Sequence, residues 1–401
     1  MKEPTQSDKR RVVLVFSRHY LPGFRAGGPV RSVSNLVHAL RDEFDFRVVC
    51  MNRDHGSCQP YENTIPEQWN KVDRINVFYL REDKLSYAFC KTLLLQIRPD
   101  LIYLNSFLDK DFSIKPLLAA AYLHLAPVLL CPRGELSDGA LALKKYRKNI
   151  LLKIVRMSGL YNFVNWHATS IAEKQQIRTR LDAPENKIFT APNLPSIVPS
   201  NLHRTREKRA GQLRIVLPAR ISAMKNTALA IQIAGRVGGE VQLDLWGVIE
   251  EKSYWSKCQA EIASHRPTVK VSHRGEIAHD ELIKLLPDYD VLLMPSLGEN
   301  FGHSIIEALG CGLPVVISDR TPWRNLHAYG VGYDLSLADN DKFIHHLRHY
   351  QSLDETKMKA VRERCRFFAN KWKIENGDSM KYRLILREIM APTSGFRSIK
   401  E

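Results

Sequence analysis

The sequence predicts an α/β protein of two domains, each built on a parallel sheet with helices on both faces. Short apolar runs that fit buried strands alternate with segments whose apolar residues recur at helical spacing. This alternation runs twice, and a Pro-rich and then basic stretch separates the two series. A chain of 401 residues is long for one domain and sufficient for two, each burying its own core.

Arg11-Val-Val-Leu-Val-Phe16 reads as the first strand, followed by a loop holding Gly23 and Gly27-Gly28. A helix follows with Val30, Val33, Leu36, Val37 and Leu40 on one face. Further strands are expected at Phe46–Cys50, Ile75–Leu80, Leu101–Leu104 and Pro127–Cys131, with helical segments between them. Ala191-Pro-Asn-Leu-Pro-Ser-Ile-Val-Pro199 and the basic, polar residues 203–209 make the best linker in the chain. Strands restart at Leu213–Leu217, Val241–Trp246, Val269–Ser272, Val291–Met294 and Val315–Ile317. The expected boundaries are residues 1–192, a linker at 193–212 and a second domain at 213–372. Two such halves put a ligand cleft between the carboxyl ends of two sheets.

Apolar residues make up 44% and charged residues 25% of the chain, an ordinary globular balance. No run approaches a membrane-spanning length, and the N-terminus has no apolar signal core. The seven cysteines are odd in number and lack Cys-x-x-Cys spacing, which argues against a disulfide framework or zinc site and for a reducing cytosol. The net charge of +16 points to polyanionic partners: nucleic acid, an anionic membrane surface or phosphate-bearing substrates. Residues 139–172 carry Lys144, Lys145, Arg147, Lys148, Lys153 and Arg156 with no Asp or Glu, interleaved with apolar residues from Leu141 to Val155. That pattern fits either a solvated helix face packed on its own core or a membrane-surface helix. Aromatics do not interleave with the basic run, as a base-stacking platform for nucleic acid would require.

The most informative stretch is Pro295-Ser-Leu-Gly-Glu-Asn-Phe-Gly-His-Ser-Ile-Ile-Glu-Ala-Leu-Gly-Cys-Gly-Leu-Pro-Val-Val316. It follows the apolar run Asp290–Met294, places Glu299 in a turn, and opens a helix at Phe301-Gly302 that carries Glu307 about one turn in. A glycine at a helix start lets a ligand approach the backbone, where free N–H groups and the helix dipole favour an anion such as a diphosphate. Glu307 is placed to bind vicinal hydroxyls, and Glu299 to face whatever lies beyond the phosphates. An ordinary strand–turn–helix with two solvated glutamates is the plain alternative.

This string resembles the Glu-x7-Glu signature of the retaining nucleotide-sugar glycosyltransferases of family 4, with the GT-B fold; Leu309-Gly310 and Cys311 depart mildly from it. The resemblance implies two Rossmann-like domains facing each other across a cleft, acceptor on the N-terminal half and donor on the C-terminal half. It also implies a terminal helix, expected within 373–390, that takes residues 373–401 back onto the first domain. In that family the second Glu (here Glu307) binds the nucleotide ribose and the first (Glu299) lies against the transferred sugar. Asn300, Phe301 and Gly302 belong to the same donor-binding turn.

Leu217-Pro-Ala-Arg-Ile-Ser-Ala-Met-Lys-Asn226 lies directly after the first strand of the second half, where phosphate sites are expected. The family's Gly-Arg-x-x-x-x-Lys-Gly sits there, and the resemblance makes Arg220 and Lys225 the diphosphate ligands, with Ala219 and Asn226 replacing the glycines. Gly27-Gly28 matches the family's glycine pair, where the backbone nears the diphosphate. Trp246-Gly247 and Gly275-Glu276-Ile277, ahead of a helix at Glu281–Leu286, match segments that line the nucleotide. The resemblance covers about residues 11–320 and is stronger in the second half.

After Pro127–Leu130 many family members carry a His near the donor sugar; here Cys131-Pro-Arg-Gly-Glu-Leu136 places Arg133 at that point. This is similar to a polysaccharide-biosynthesis subgroup that also has an Asn-Ser pair like Asn105-Ser106. Arg133 is then a ligand of a donor phosphate or an acidic acceptor, and Glu135, with Asn105, of an acceptor hydroxyl; a structural ion pair is the alternative for Arg133 and Glu135. The resulting expectation is retaining, metal-independent transfer of a sugar from a UDP- or GDP-sugar to a hydroxyl of a glycan or lipid-linked glycan, in cell-surface exopolysaccharide or lipopolysaccharide synthesis. No resident cofactor is expected, and the enzyme would be cytoplasmic or peripheral on the inner membrane face. Two rivals are a GT-B nucleotide-sugar epimerase or sugar-phosphate synthase, and a basic nucleic-acid-binding protein.

Overall fold

The computed structural model describes residues 10–391 apart from 138–156 and the single positions 197, 200, 203, 265, 267 and 378. Most of the basic stretch 139–172, including Lys144, Lys145, Arg147, Lys148, Lys153 and Arg156, lies outside the described residues. The chain divides into two compact units. One comprises the chain up to Gly23, Ser32–Asn193 and the C-terminal residues from 378; the other comprises Phe24–Arg31 and Leu194–Gly377.

The first unit carries an eight-stranded sheet of β1 (Val12–Phe16), β2 (Asp45–Met51), β3 (Trp69–Val72), β4 (Ile75–Leu80), β5 (Leu101–Asn105), β6 (Val128–Cys131), β7 (Val164–Ala168) and β8 (Ile188–Thr190), in the order β3-β4-β2-β1-β5-β6-β7-β8. Every pairing is parallel except β3 with β4. The central strands β1 and β5 are buried along their whole length, which is why they read as unbroken apolar runs. The helices α1 (Gly28–Leu40), α2 (Tyr87–Ile97), α3 (Lys115–Leu123) and α4 (Ile171–Leu181) lie between strands in the chain. Ser170 caps α4 by accepting from the Glu173 N–H. The Glu173 side chain accepts from Thr169 N at 2.7 Å and from Gly134 N at 2.6 Å, tying the turn after β6 to the helix start.

The second unit carries six parallel strands: β9 (Gln212–Pro218), β10 (Glu240–Trp246), β11 (Val269–Gly275), β12 (Val291–Met294), β13 (Val315–Ser318) and β14 (Gly332–Leu335), in the order β11-β10-β9-β12-β13-β14. This is the doubly wound 3-2-1-4-5-6 order, whose direction reverses between β9 and β12. Its helices are α5 (Thr227–Val237), α6 (Lys252–Ala263), α7 (His279–Leu285), α8 (His303–Gly310), α9 (Asn340–Ser352) and α10 (Glu355–Asn376). The last helix, α11 (Met380–Ile389), belongs to the first unit. There Tyr382 is 3% exposed, its ring packed edge-on to His167 with centroids 5.1 Å apart, and Arg383 pairs with Glu43 at 2.5 Å.

The boundaries differ from the sequence expectation in three places. Phe24–Arg31, with Gly27 and Gly28, clusters with the second unit. Residues 373–376, expected to begin the returning segment, complete α10 in the second unit. Part of the expected linker, 193–212, is a strap bonded onto the second unit rather than a loose tether. Arg204 donates to the fully buried Asp290 at 3.0 Å, Thr205 N to Asp288 at 2.7 Å, and Lys208 N to Glu355 at 2.6 Å. Lys208 is 3% exposed and donates to the Arg209, Gln212 and Gln351 carbonyls; burial and its cationic neighbours hold its amine below the usual range.

Candidate functional site

Open parallel sheets bind ligands beyond the carboxyl ends of their strands at the point where strand order reverses. In the second unit that point lies between β9 and β12, and the two loops leaving it are Ala219–Asn226 and Pro295–Gly302. The sequence-predicted residues Arg220, Lys225, Glu299, Asn300, Phe301 and Gly302 stand on these two loops. Lys225 Nζ lies 2.6 Å from Glu299 Oε1, an oxygen that also accepts from Ser296 Oγ at 2.8 Å. Arg220 Nη1 donates to Glu250 Oε1 at 2.8 Å, with both side chains about one third exposed at 33%.

Two loop conformations explain the residue choices. Asn226 has φ 54° and ψ 42°, so the asparagine occupies a left-handed position of the kind glycine fills freely and asparagine tolerates best after it. Gly247 has φ +149°, and a Cβ there would lie 2.3 Å from the Ala219 carbonyl oxygen. Its place is therefore a close backbone crossing between the loops after β9 and β10. An isolated parallel bridge, Ile221 with Ile249, continues that contact and sets Glu250 beside Arg220.

Helix α8 starts at Gly302, which has φ 76°, with no side-chain cap on its first turn. Gly302 has no side chain to cap that turn, and Ile305 N bends back to the Gly302 carbonyl at 2.9 Å; a helix N-terminus of this kind favours an anion. Phe301 sends its ring into the core, against Trp323 at 5.7 Å and Trp372 at 5.6 Å, and its carbonyl accepts from Trp323 Nε1 at 2.5 Å. It anchors the turn through packing. Glu307 is 4% exposed; its Oε1 accepts from Ser196 Oγ at 2.8 Å and lies 2.9 Å from His279 Nε2.

Around this loop pair the structure adds residues that the sequence did not single out. Arg25 Nε lies 2.5 Å from Glu276 Oε2, joining the glycine loop to the turn after β11, with Ile277 half-buried beside it. Arg31 lies within electrostatic reach of Glu307 and Asp280, and its desolvation lowers its pKa. Gly28 sits 3.8 Å from the His303 ring at the start of α8, measured from an added Cβ. Ser196, His279 and Glu250 come from distant segments with no local motif. Arg25 and Arg31, which flank Gly27-Gly28, were a visible signal: two guanidinium groups beside a glycine turn.

In the first unit Arg133, Glu135 and Asn105 come together at the carboxyl ends of β5 and β6, but their bonds run inward. Arg133 donates to Asn105 Oδ1 at 2.7 Å, to Tyr103 OH at 3.0 Å and to Asn193 Oδ1. Its φ of 54° puts a long side chain in the left-handed region, a strain of about 1–3 kcal/mol that these bonds offset. Glu135 accepts from Ser106 Oγ at 2.7 Å, Phe107 N at 2.6 Å and Leu108 N at 2.9 Å. Both its oxygens hold the turn after β5, and burial raises its pKa against the pull of those donors. Behind them Tyr103 OH lies 2.8 Å from His167 Nδ1, and His167 Nε2 lies 2.9 Å from the Ala191 carbonyl. A carbonyl only accepts, so Nε2 carries the proton and Tyr103 donates to Nδ1. Burial, with Arg133 nearby, pushes the imidazole pKa down to about 3 and keeps it neutral.

The chain contains three Asp-x-Asp triplets, a spacing that can serve metal ligation, so the expected metal-independent transfer does not rest on their absence. Asp109 and Asp111 bind Arg18 at 2.7 and 2.8 Å, Asp288 and Asp290 hold the strap, and Asp341 pairs with Arg236 at 2.6 Å while Asp339 caps α9. Among the described residues no group of three or more His, Cys, Asp or Glu side chains is placed to hold a metal ion.

Residues 200–359 match the family of Glycosyl transferases group 1. The D-inositol 3-phosphate glycosyltransferase of Paenarthrobacter aurescens is 26% identical over 163 residues, which is 38% of this chain and 40% of that protein's length. Among solved structures, Anabaena HepE in complex with UDP and glucose superposes with a TM-score of 0.69 at 16% identity, covering 96% of this chain and 100% of that one. WaaG, a glycosyltransferase involved in lipopolysaccharide biosynthesis, gives 0.65 at 12% identity, covering 95% and 100%. Sucrose-phosphate synthase from Thermosynechococcus elongatus gives 0.66 at 17% identity, covering 96% and 100%. The chain has the two-domain α/β fold of the GT-B glycosyltransferases, as the sequence predicted.

Proposed function

We propose that the protein is a retaining glycosyltransferase that moves a sugar from a nucleoside-diphosphate sugar to a hydroxyl of a glycan or lipid-linked glycan. The observation that carries this reading is the convergence of Lys225, Glu299 and the uncapped N-terminus of α8 at the switch point of the second sheet. The family match over residues 200–359 and the UDP and glucose bound to HepE support a nucleotide-sugar donor. Arg220, Lys225 and the α8 N-terminus oppose the charge that grows on the leaving diphosphate. Glu307 takes the ribose hydroxyls and Glu299 orients the sugar. The bond between the anomeric carbon and the phosphate oxygen breaks, the acceptor oxygen bonds on the same face, and its proton passes to the departing phosphate. The reaction is proposed to need no metal.

A role in cell-surface polysaccharide synthesis is proposed on the Arg133–Glu135 and Asn105-Ser106 pattern, and the likeness to WaaG is consistent with it. No described helix is long and apolar enough to cross a membrane, so access to a lipid-linked acceptor is assigned to the basic stretch 139–172 docking on an anionic leaflet from the cytoplasmic side. Thermal-shift screening against UDP, GDP and ADP, then transfer assays with the matching sugars and NMR of the product anomer, tests the reading. An inverted product anomer overturns retention; turnover without any separate acceptor favours an epimerase, and transfer only to a sugar phosphate favours a synthase. A salt-sensitive gel shift with nucleic acid and no nucleotide binding would replace the enzyme reading altogether.

A further inference from the structure

We infer that Glu250 is an affinity-setting residue of this site, a carboxylate that occupies Arg220 when no donor is bound and reclaims it as the nucleoside diphosphate leaves. The inference rests on the proposed donor site and adds a residue to it. Arg220 is the forked cation on the loop after β9, and its Nη1 donates to Glu250 Oε1 at 2.8 Å. Backbone structure fixes the partner. Ile221 N donates to the Val248 carbonyl at 2.8 Å and Glu250 N to the Ile221 carbonyl at 3.1 Å, so the two loops are laced together on either side of the pair. Gly247 permits this close crossing.

The same substitution of carboxylate for phosphate recurs around the loop pair, where Lys225 faces Glu299 and Arg25 faces Glu276. Glu299 and Glu276 already have places in the proposed donor site. Glu250 has none, yet it holds the guanidinium expected to receive phosphate oxygens. A diphosphate entering this site trades one anionic partner of Arg220 for another and meets the Glu250 charge alongside. That competition weakens ground-state binding of the nucleotide and favours release of the diphosphate product. Both side chains are one third exposed at 33%, which limits the effect to that of a solvent-screened pair.

The test is Glu250→Gln, which keeps size and backbone while removing the charge. Titration calorimetry with UDP, GDP and ADP, and separately with inorganic pyrophosphate, should show about two- to five-fold tighter binding than in the parent, the range of a screened ion pair. Inhibition by the diphosphate product should strengthen by the same factor. The gain should vanish when Arg220→Ala is added, because the two residues then no longer act on each other. Unchanged or weaker binding by Glu250→Gln, or an equal gain in the Arg220→Ala background, overturns the inference. If no nucleoside diphosphate binds the parent, the donor-site reading fails, and the pyrophosphate titration decides the role of Glu250 alone. Absence of pyrophosphate binding in both proteins overturns it too.

Discussion

Lys225 and Glu299 form an ion pair at 2.6 Å, the side chains being 19% and 9% exposed, at the meeting point of the two loops that leave the switch point. The proposed mechanism gives its two members opposite tasks, Lys225 toward phosphate and Glu299 toward sugar. Lys225→Ala should raise the donor KM and cost about 2–4 kcal/mol of transition-state stabilisation, since it removes a charge that opposes the leaving group. Glu299→Gln should lower kcat while nucleotide affinity stays near the parent value. Steady-state kinetics with calorimetric binding checks the split, and parent-like turnover in both variants would remove the pair from the mechanism.

Glu307 should behave differently from Glu299. Glu307→Gln is expected to weaken nucleoside-diphosphate binding by about tenfold, the worth of one charge-assisted hydrogen bond. Because the carboxylate is buried against Ser196 and His279, melting temperatures must be measured alongside. Loss of fold without loss of affinity in the surviving native fraction would make Glu307 a purely structural residue.

His167 gives a pH prediction with a defined sign. Its folded pKa is about 3, below the ordinary 6.5, so the unfolded chain binds the extra proton first. The stability contributed by the neutral ring is present above about 6.5 and is lost as pH falls toward the folded value. Each pH unit in that window removes up to about 1.4 kcal/mol. Urea midpoints measured from pH 7 to 4 should fall more steeply for the parent than for His167→Gln, and parallel curves would contradict the assignment.

Asp290→Asn tests the strap. Removing the charge leaves Arg204 and Arg206 beside a buried amide, and losing one partner of such a pair typically costs about 3–5 kcal/mol. The urea midpoint should drop accordingly, and an unchanged midpoint would make the strap incidental.

Replacing Lys144, Lys145, Lys148 and Lys153 with Gln should release the protein from anionic vesicles, since each basic residue near such a surface contributes about 1 kcal/mol. Turnover on a short soluble acceptor should persist, and EDTA should leave it intact. Equal vesicle binding by parent and variant would leave the stretch without a membrane role; inhibition by EDTA would reject the metal-free reaction.

What could be read from the chain follows from where each signal resides. β1, β5 and β12 are buried throughout, so their apolar runs announced them. β3 escaped notice because it is an exposed antiparallel edge, and β7 because Asn165 and His167 interrupt its apolar pattern. Arg220, Lys225, Glu299 and Glu307 could be singled out because each sits in a continuous string with its own turn chemistry, and the fold sets the first three on the two loops at the switch point. Glu250, Ser196 and His279 could not, since only the folded backbone brings them to their partners. Arg133 was read as a ligand of a donor phosphate or an acidic acceptor and Glu135 of an acceptor hydroxyl, with a structural ion pair as the alternative; their spacing did not show which inward partners they take, Asn193, Tyr103 and the turn after β5. The basic residues of the strap looked like a tether for the same reason: Asp288, Asp290 and Glu355 lie far along the chain.

The return of α11 to the first unit has a consequence for synthesis on the ribosome. Tyr382, which covers His167, and Arg383, which pairs with Glu43, are translated after the whole second unit. The first unit is therefore completed only after the second has been made. Until residues 380–389 appear, the nascent first unit holds the Tyr103–His167 pair without its aromatic cover, and a chain stopped at Gly377 would leave that surface open permanently.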